Sequence, residues 1–512
     1  MKKIKKLLLG RTMIVAVAIL VQLLWILSLL TGVIEKYSFV NTIIKLVAVL
    51  VVLVIVNKRS NPSYKIVWTF VILSIPIVGL LIYFIFGRSE LTRRTRKRME
   101  IINREMEKEL PDGKQCMEEL REKNKSIYNQ VKYISDWASF PVYRNTSTKY
   151  YRTGEEMLPD ILAALKSAEH YIFMEYFIVE EGIMFNQILE ILKEKVAQGV
   201  EVRFIYDDFG CVTTIPAKYY EKLQSFGIQC VKFNPLYPVM SVIMNNRDHR
   251  KILVVDGKVG FTGGINLADE YINEIERFGH WKDTGIRLEG EAVWSFTVMF
   301  LEMWSYITKT EQGDITRFRP EVYQNGKFID DGYVQPYDDS PLDHETAGEN
   351  IYMNIISKAR DYVYIFTPYL IPDHEMIKCL QNAAKSGVDV RIIMPGIPDK
   401  KVVYWMGQSY YEELLECGVK IYQYKPGFVH AKSFVCDDEV ATVGSINLDY
   451  RSLYLHFECG VWMYESSAVD QVKEDFMDTL EECEEITMEF CRKRPAVIRT
   501  LLAVLKIFAP LL

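Results

Sequence analysis

His249-Arg250-Lys251-Ile252-Leu253-Val254-Val255-Asp256, followed by Gly263-Gly264-Ile265-Asn266, is written a second time as His430-Ala431-Lys432-Ser433-Phe434-Val435-Cys436-Asp437 with Gly444-Ser445-Ile446-Asn447. In each copy Lys follows His by two residues, Asp by seven and Asn by seventeen, and the copies stand 181 positions apart. Five matched positions at one spacing have a chance of roughly one in a million per start site at ordinary composition. The repeat therefore marks a duplicated unit, with one site made from both halves.

More than the signature recurs. Tyr171-Ile172-Phe173-Met174-Glu175-Tyr176 is echoed by Tyr362-Val363-Tyr364-Ile365-Phe366-Thr367, and Gly199-Val200-Glu201-Val202-Arg203 by Gly387-Val388-Asp389-Val390-Arg391. These apolar, β-branched runs read as buried strands, separated by helical stretches at 157–168 and 185–198. Alternating helix and strand predicts an α/β fold of two halves, each a sheet sandwiched by helices. The run 249–255 reads as a strand closed by an Asp256-Gly257 hairpin turn. On a strand, His and Lys two apart project from one face, while Asp256, seven after His249, falls on the other. Asp256 and Asp437 are thus expected to hold the turn, and Gly263-Gly264 and Gly444-Ser445 to leave room for an anionic group near Asn266 and Asn447.

Hydrophobic residues make up 49% of the 512 residues, and much of the excess is N-terminal. Runs at 12–34 and 66–86 are each long enough to cross a ~30 Å hydrocarbon core, and 40–56 is a shorter run interrupted by Asn41 and Lys45. We read these as permanent transmembrane anchors rather than a signal peptide, which would be shorter and single. Basic residues precede the first run (Lys2, Lys3, Lys5, Lys6, Arg11) and follow the last (Arg88, Arg93, Arg94, Arg96, Lys97, Arg98), so the positive-inside rule gives conflicting orientations: either the middle run or the Pro76/Gly79-containing run does not cross, for example as a re-entrant hairpin, or one basic cluster sits outside. The chain divides into membrane segments at 1–87, a charged connector at 88–131, two halves at 132–325 and 326–491, and an amphipathic C-terminal segment at 492–512. In that last segment Arg499 and Lys506, seven apart, are expected to face lipid head groups.

The net charge of −6 argues against a nucleic-acid partner, because the basic groups cluster beside apolar segments rather than along the chain. The nine cysteines form no CxxC pair and point to neither a zinc site nor a disulfide framework. No Gly-rich nucleotide-binding loop is present.

A paired His-x-Lys set suits phosphodiester chemistry without a metal. One imidazole attacks phosphorus and the other protonates the leaving oxygen, then deprotonates the incoming alcohol. Lys251, Lys432, Asn266 and Asn447 supply charge and donors to the trigonal-bipyramidal state.

These residues resemble the phospholipase D superfamily and, within it, bacterial cardiolipin synthases. The resemblance extends through Asn61-Pro62 with Trp68, Pro76, Gly79 and Tyr83, through Trp281-Lys282-Asp283-Thr284-Gly285, Thr367-Pro368-Tyr369-Leu370-Ile371-Pro372-Asp373 and Gly427-Phe428-Val429-His430, to Asn447-Leu448-Asp449 with Arg451-Ser452. It implies two duplicated phospholipase D-like α/β/α halves sharing one active site, and transfer of a phosphatidyl group between two phosphatidylglycerols with release of glycerol. It also implies no cofactor, metal or nucleotide, and a location in the bacterial membrane among anionic lipids. Catalytic residues are then His249, Lys251, Asp256, His430, Lys432 and Asp437, supported by Gly264, Ser445, Asn266 and Asn447. Asp283 and Glu458 resemble the carboxylates that orient the imidazoles. His456 departs from the family, where Asn is usual. The sequence leaves the nucleophile open between the two histidines, with His249 preferred. A hydrolase, a transferase using another alcohol, and a membrane scaffold with a retired site are the competing readings.

Overall fold

The computed structural model describes residues 23, 38–58, 60–87, 93–235, 246–310, 313–319, 328–343 and 345–511. By internal contacts it divides into two units, one comprising 1–94, 236–246 and 504–512, the other 95–235 and 247–503.

Among the described residues of the smaller unit are the helices α1 (Ser38–Asn57), α2 (Pro62–Ser74) and α3 (Pro76–Phe86). Asn61 caps α2 by accepting the Ser63 N–H, and Pro62 occupies the first helical turn, where its missing donor costs nothing. Trp68 packs edge-on against Tyr83 at 5.2 Å, over Ala48, Ile55 and Ile72. The expected span at 66–86 is not one helix. Pro76 drives Ile75 out of the helical region, to φ −134° and ψ 73°, and divides the run into helices of 13 and 11 residues. Among the described residues no helix is long and apolar enough to cross a membrane. The run at 12–34 lies outside the described residues apart from Leu23, as do the basic residues that precede it.

The larger unit is built on two sheets of matching connectivity. The first contains β1 (Thr146–Tyr151), β2 (Tyr171–Tyr176), β3 (Glu201–Asp207), β4 (Gln229–Phe233), β5 (Ile252–Val255), β6 (Val259–Gly263) and β7 (Gly285–Gly290), in the order β1-β7-β6-β5-β2-β3-β4. The second contains β8 (Tyr333–Asp339), β9 (Tyr362–Phe366), β10 (Asp389–Pro395), β11 (Lys420–Tyr424), β12 (Ser433–Cys436), β13 (Val440–Gly444), β14 (His456–Tyr464) and β15 (Cys483–Ile486), in the order β8-β14-β13-β12-β9-β10-β11-β15. Seven strands correspond one to one, and β15 is an addition at the far edge.

Each sheet is covered on both faces. In the first half α4 (Gly154–Ser167) and α5 (Ile183–Ala197) bury Ile161, Leu165, Ile188 and Leu192 against Ile172 and Met174. Phe173, on the opposite face by strand alternation, stacks on Phe300 of α6 (Val293–Thr308) at 4.5 Å. Helix α6 is buried almost throughout because it packs against strands of both sheets. In the second half Tyr352 of α7 (Ala347–Lys358) stacks on Phe434, and Tyr364 stacks on Phe476 of α8 (Ser467–Glu481) from the other face. The nine cysteines are unpaired. The C-terminal helix α9 (Ala496–Ile507) buries Leu502 and exposes Val497, Leu501 and Val504. Its Arg499 lies 3.7 Å from Glu412 instead of being left for head groups alone.

Candidate active site

The signature occupies the same place in both halves. Asp256 and Gly257 both take positive φ (51° and 63°) in the hairpin between β5 and β6, as a two-residue type I′ turn requires. The Asp256 carboxylate turns back to accept the backbone N–H groups of Glu169, His170 and Tyr171 at 2.8, 2.9 and 2.7 Å. Asp437 accepts those of Arg360, Asp361 and Tyr362 at 2.7, 2.9 and 2.9 Å. Both aspartates pin the start of the neighbouring strand, and neither faces the histidines.

The expected strand 249–255 forms only from Ile252. His249, Arg250 and Lys251 lie ahead of it because the chain there leaves its own sheet and pairs with the other half. The short strand Arg247–Asp248 runs parallel to the start of β14, with His456 opposite Arg247 and Phe457 opposite Asp248, and His249 N–H donates to the Phe457 carbonyl at 2.9 Å. The second half returns the exchange. Gly427–Val429 runs parallel to His280–Lys282, and His430 N–H donates to the Lys282 carbonyl at 2.7 Å.

One further step along each ladder sets His249 beside Glu458 and His430 beside Asp283. His249 Nδ1 lies 2.9 Å from both oxygens of Glu458, and His430 Nδ1 lies 2.7 Å from Asp283 Oδ2. Each imidazole is thus oriented by a carboxylate from the opposite half, and all four groups are buried. Lys251 Nζ donates to the His249 carbonyl at 2.6 Å and Lys432 Nζ to the His430 carbonyl. Aromatic rings wall the imidazoles: Phe177 is 4.9 Å from His249, and Trp281 and Tyr271 are 5.4 and 5.6 Å from His430.

The two pairs hold protons differently. Burial pushes the Glu458 carboxyl up to about 8, against the pull of Lys251, and pushes His249 well below the usual imidazole value. Burial and Lys432 push His430 down to about 4. Burial also acts to raise Asp283, but His430, Lys432 and the Thr284 N–H outweigh it and hold the carboxyl below its ordinary range. Desolvation lowers Lys251 to about 8 and Lys432 to about 7, against the opposing pull of the Glu458 and Asp283 carboxylates. Perturbed groups clustered in this way characterise functional sites.

The glycines serve a different end from the one expected. Gly264 leaves no room for phosphate, because a Cβ there would overlap Asp283 Oδ1 and lie 2.9 Å from its Cγ. The missing side chain makes the slot for the carboxylate that holds His430. At the equivalent place Ser445 accepts the Cys459 N–H at 3.0 Å and lies within reach of Glu458. Asn266 is engaged at both ends, accepting the Ile178 N–H at 3.0 Å and donating to the Tyr271 hydroxyl at 2.8 Å, so it braces the wall. Asn447 is buried, and its Oδ1 has no hydrogen-bond partner among the described residues.

His456, flagged only as a departure, lies 5.4 Å from His249 ring to ring, with Nδ1 3.6 Å from Glu458 Oε1. With His249 and Glu458 it forms one group of three potential metal ligands among the described residues. Arg451, whose Nε donates to His456 Nε2 at 3.3 Å, together with Lys251, Arg247 and Lys400, surrounds that group with positive charge. Such a field suits an anion better than a cation.

A family profile described as "Cardiolipin synthase, PLD-like domain" matches residues 161–280 and 352–480, one match per half, and one described as "Phospholipase_D-nuclease N-terminal" matches 46–88. A protein named "Cardiolipin synthase" from Alkalihalophilus pseudofirmus is 33% identical over 92% of this chain and 93% of its own length. The chain belongs to the cardiolipin synthase family. It is accordingly an enzyme of the phosphatidyltransferase class. A Streptococcus mutans protein described as uncharacterized is 47% identical over 90% of this chain and 99% of its own. The crystal structure of phosphatidylserine synthase from Haemophilus influenzae shares the fold, with a TM-score of 0.56 at 14% identity, covering 75% of this chain and all of that one.

Proposed function

We propose that this member of the family joins two phosphatidylglycerols into cardiolipin and releases glycerol through a phospho-histidine. The observation that carries the reading is the reciprocal exchange of carboxylates. Two imidazoles, each fixed by the other half, face one cationic centre, as a double displacement at one phosphorus requires.

We assign attack to His249. Glu458 presents both oxygens to it at equal distance, which counters the positive charge that grows on the ring as it bonds to phosphorus. His430, charged to the imidazolium when the anionic phosphate enters beside it and with Asp283 favouring that form, gives a proton to the departing glycerol oxygen as His249 Nε2 forms the P–N bond and the P–O bond breaks. The hydroxyl of the second phosphatidylglycerol then returns a proton to His430 and forms a new P–O bond as the P–N bond breaks. One phosphodiester replaces another, so the balance needs no nucleotide. Lys251 and Lys432 regain full charge when the phosphate enters and stabilise its equatorial oxygens. The apolar outer surfaces of α1 and α2, with Leu46, Val54, Ile66 and Phe70 exposed, and that of α9 support association with a bilayer.

The test is incubation of the solubilised full chain with phosphatidylglycerol alone, alongside His249→Ala and His430→Ala. Cardiolipin lost in both variants supports the reading, and phosphatidic acid as the sole product makes the enzyme a hydrolase. With donor lipid labelled in the phosphate, His430→Ala is expected to retain label on protein and His249→Ala to take up none. The reverse pattern exchanges the two roles.

A further inference from the structure

Two connections at the rim of the site expose large apolar side chains where a soluble protein has reason to hide them. The first follows β3 and carries Phe209 and Val212, 47% and 56% exposed. The second follows β10, the equivalent strand of the other half, and carries Ile397, Val402 and Trp405, 40%, 48% and 45% exposed.

Both connections are tied to the segments that bring in the catalytic histidines. Asp207, the last residue of β3, accepts the Asp248 N–H at 3.1 Å, and the Phe209 ring lies 4.8 Å from the Arg247 guanidinium. In the other half the N–H groups of Gly396 and Ile397 donate to the Gly427 carbonyl at 3.2 and 3.1 Å, three residues before His430. Duplication thus sets one apolar connection beside each histidine. Beside the second stand Lys400 and Lys401, with Lys400 two-thirds exposed, and Lys400 adds to the positive field at His456. Apolar and aromatic side chains interleaved with lysines match the boundary between acyl chains and anionic head groups.

We propose that these two connections form a lipid-docking rim that seats the mouth of the active site on the surface of an anionic bilayer, from which the phospholipid enters between the two histidines. This rests on the proposed lipid substrate. The rim acts on substrate delivery, so its loss spares turnover of a substrate that arrives from water.

The full chain is reconstituted in phosphatidylcholine nanodiscs and supplied either with long-chain phosphatidylglycerol in the disc or with short-chain phosphatidylglycerol from solution. The double variant Phe209→Ser/Trp405→Ser, checked for unchanged thermal unfolding, is expected to lose about tenfold on the long-chain substrate and to stay within about threefold on the short-chain one. Equal loss on both overturns the proposal, as does no loss on either. A second readout needs no turnover. Trp405 is one of eight tryptophans, and its fluorescence, taken as the difference between wild type and Trp405→Phe, is expected to be quenched by lipids brominated on their acyl chains. No quenching overturns the docking rim. Should wild type make no cardiolipin from either substrate, the proposed function fails while the quenching still decides the surface.

Discussion

Gly264→Ala places a methyl group where Asp283 keeps its carboxylate. Oδ1, 2.0 Å from that added Cβ, has to retreat by about 1.4 Å to reach ordinary van der Waals distance. Oδ2 moves with it, and the 2.7 Å contact to His430 Nδ1 stretches beyond hydrogen-bond range. The 2.8 Å bond from the Thr284 N–H to Oδ1 is strained as well. A misplacement of about 1 Å in a catalytic array costs roughly 10²-fold in rate, or about 2.7 kcal/mol of transition-state stabilisation. The fold is expected to survive. Gly264 has no left-handed backbone to protect, and Ser445 carries a side chain at the same place in the other half. The assay is kcat on phosphatidylglycerol beside the thermal midpoint, with Ser445→Ala as the control for the other half. Activity within about threefold of wild type at an unchanged midpoint would refute the claim that this glycine exists to admit Asp283.

Asp283→Asn and Glu458→Gln each remove an orienting charge from the opposite half, and each is expected to lower kcat by at least about 10²-fold at an unchanged KM, read from initial rates. In the pH profile of phospho-enzyme formation, attack by His249 needs its Nδ1–H donated to an ionised Glu458. Because Glu458 is raised to about 8, the rate is expected to climb with pH and level off near that value. A profile flat from about pH 6 to 9 would uncouple attack from Glu458 and move it to His430, which is already unprotonated above about 4. Asp256→Ala strands three backbone donors, one of them at the buried Tyr171, and is expected to cost about 2–4 kcal/mol in denaturant unfolding. Asp437→Ala is expected to cost less, since Asp437 is only partly buried where Asp256 is buried.

The strands, the hairpin turns and the duplication were legible because each is a local pattern: nearly continuous apolar runs along 171–176 and 362–366, an Asp-Gly turn, a spacing repeated twice. The expectation that Asp256 holds the turn was argued from parity counted from His249 and from the Asp-Gly pair, although the strand begins only at Ile252. The break at Pro76 was legible, since a residue before proline resists the helix, and the conflicting basic flanks already left the Pro76/Gly79 run open to failing as a full crossing. Gly264 misled because a missing side chain marks a close approach without naming what approaches.

The sequence by itself determined the candidate residues, two His-x-Lys pairs with their turn aspartates, and the α/β halves that carry them. The pairing of His249 with Glu458 and of His430 with Asp283 was decided only by tertiary structure. Those partners stand 209 and 147 residues apart, and they are brought together by parallel ladders of two and three residues whose register no periodicity announces. Such short strands have no propensity of their own. They form because the short segments beside each carboxylate, 456–457 and 280–282, offer backbone partners to the other half's incoming segment, and closing that exchange aligns the imidazoles with their carboxylates.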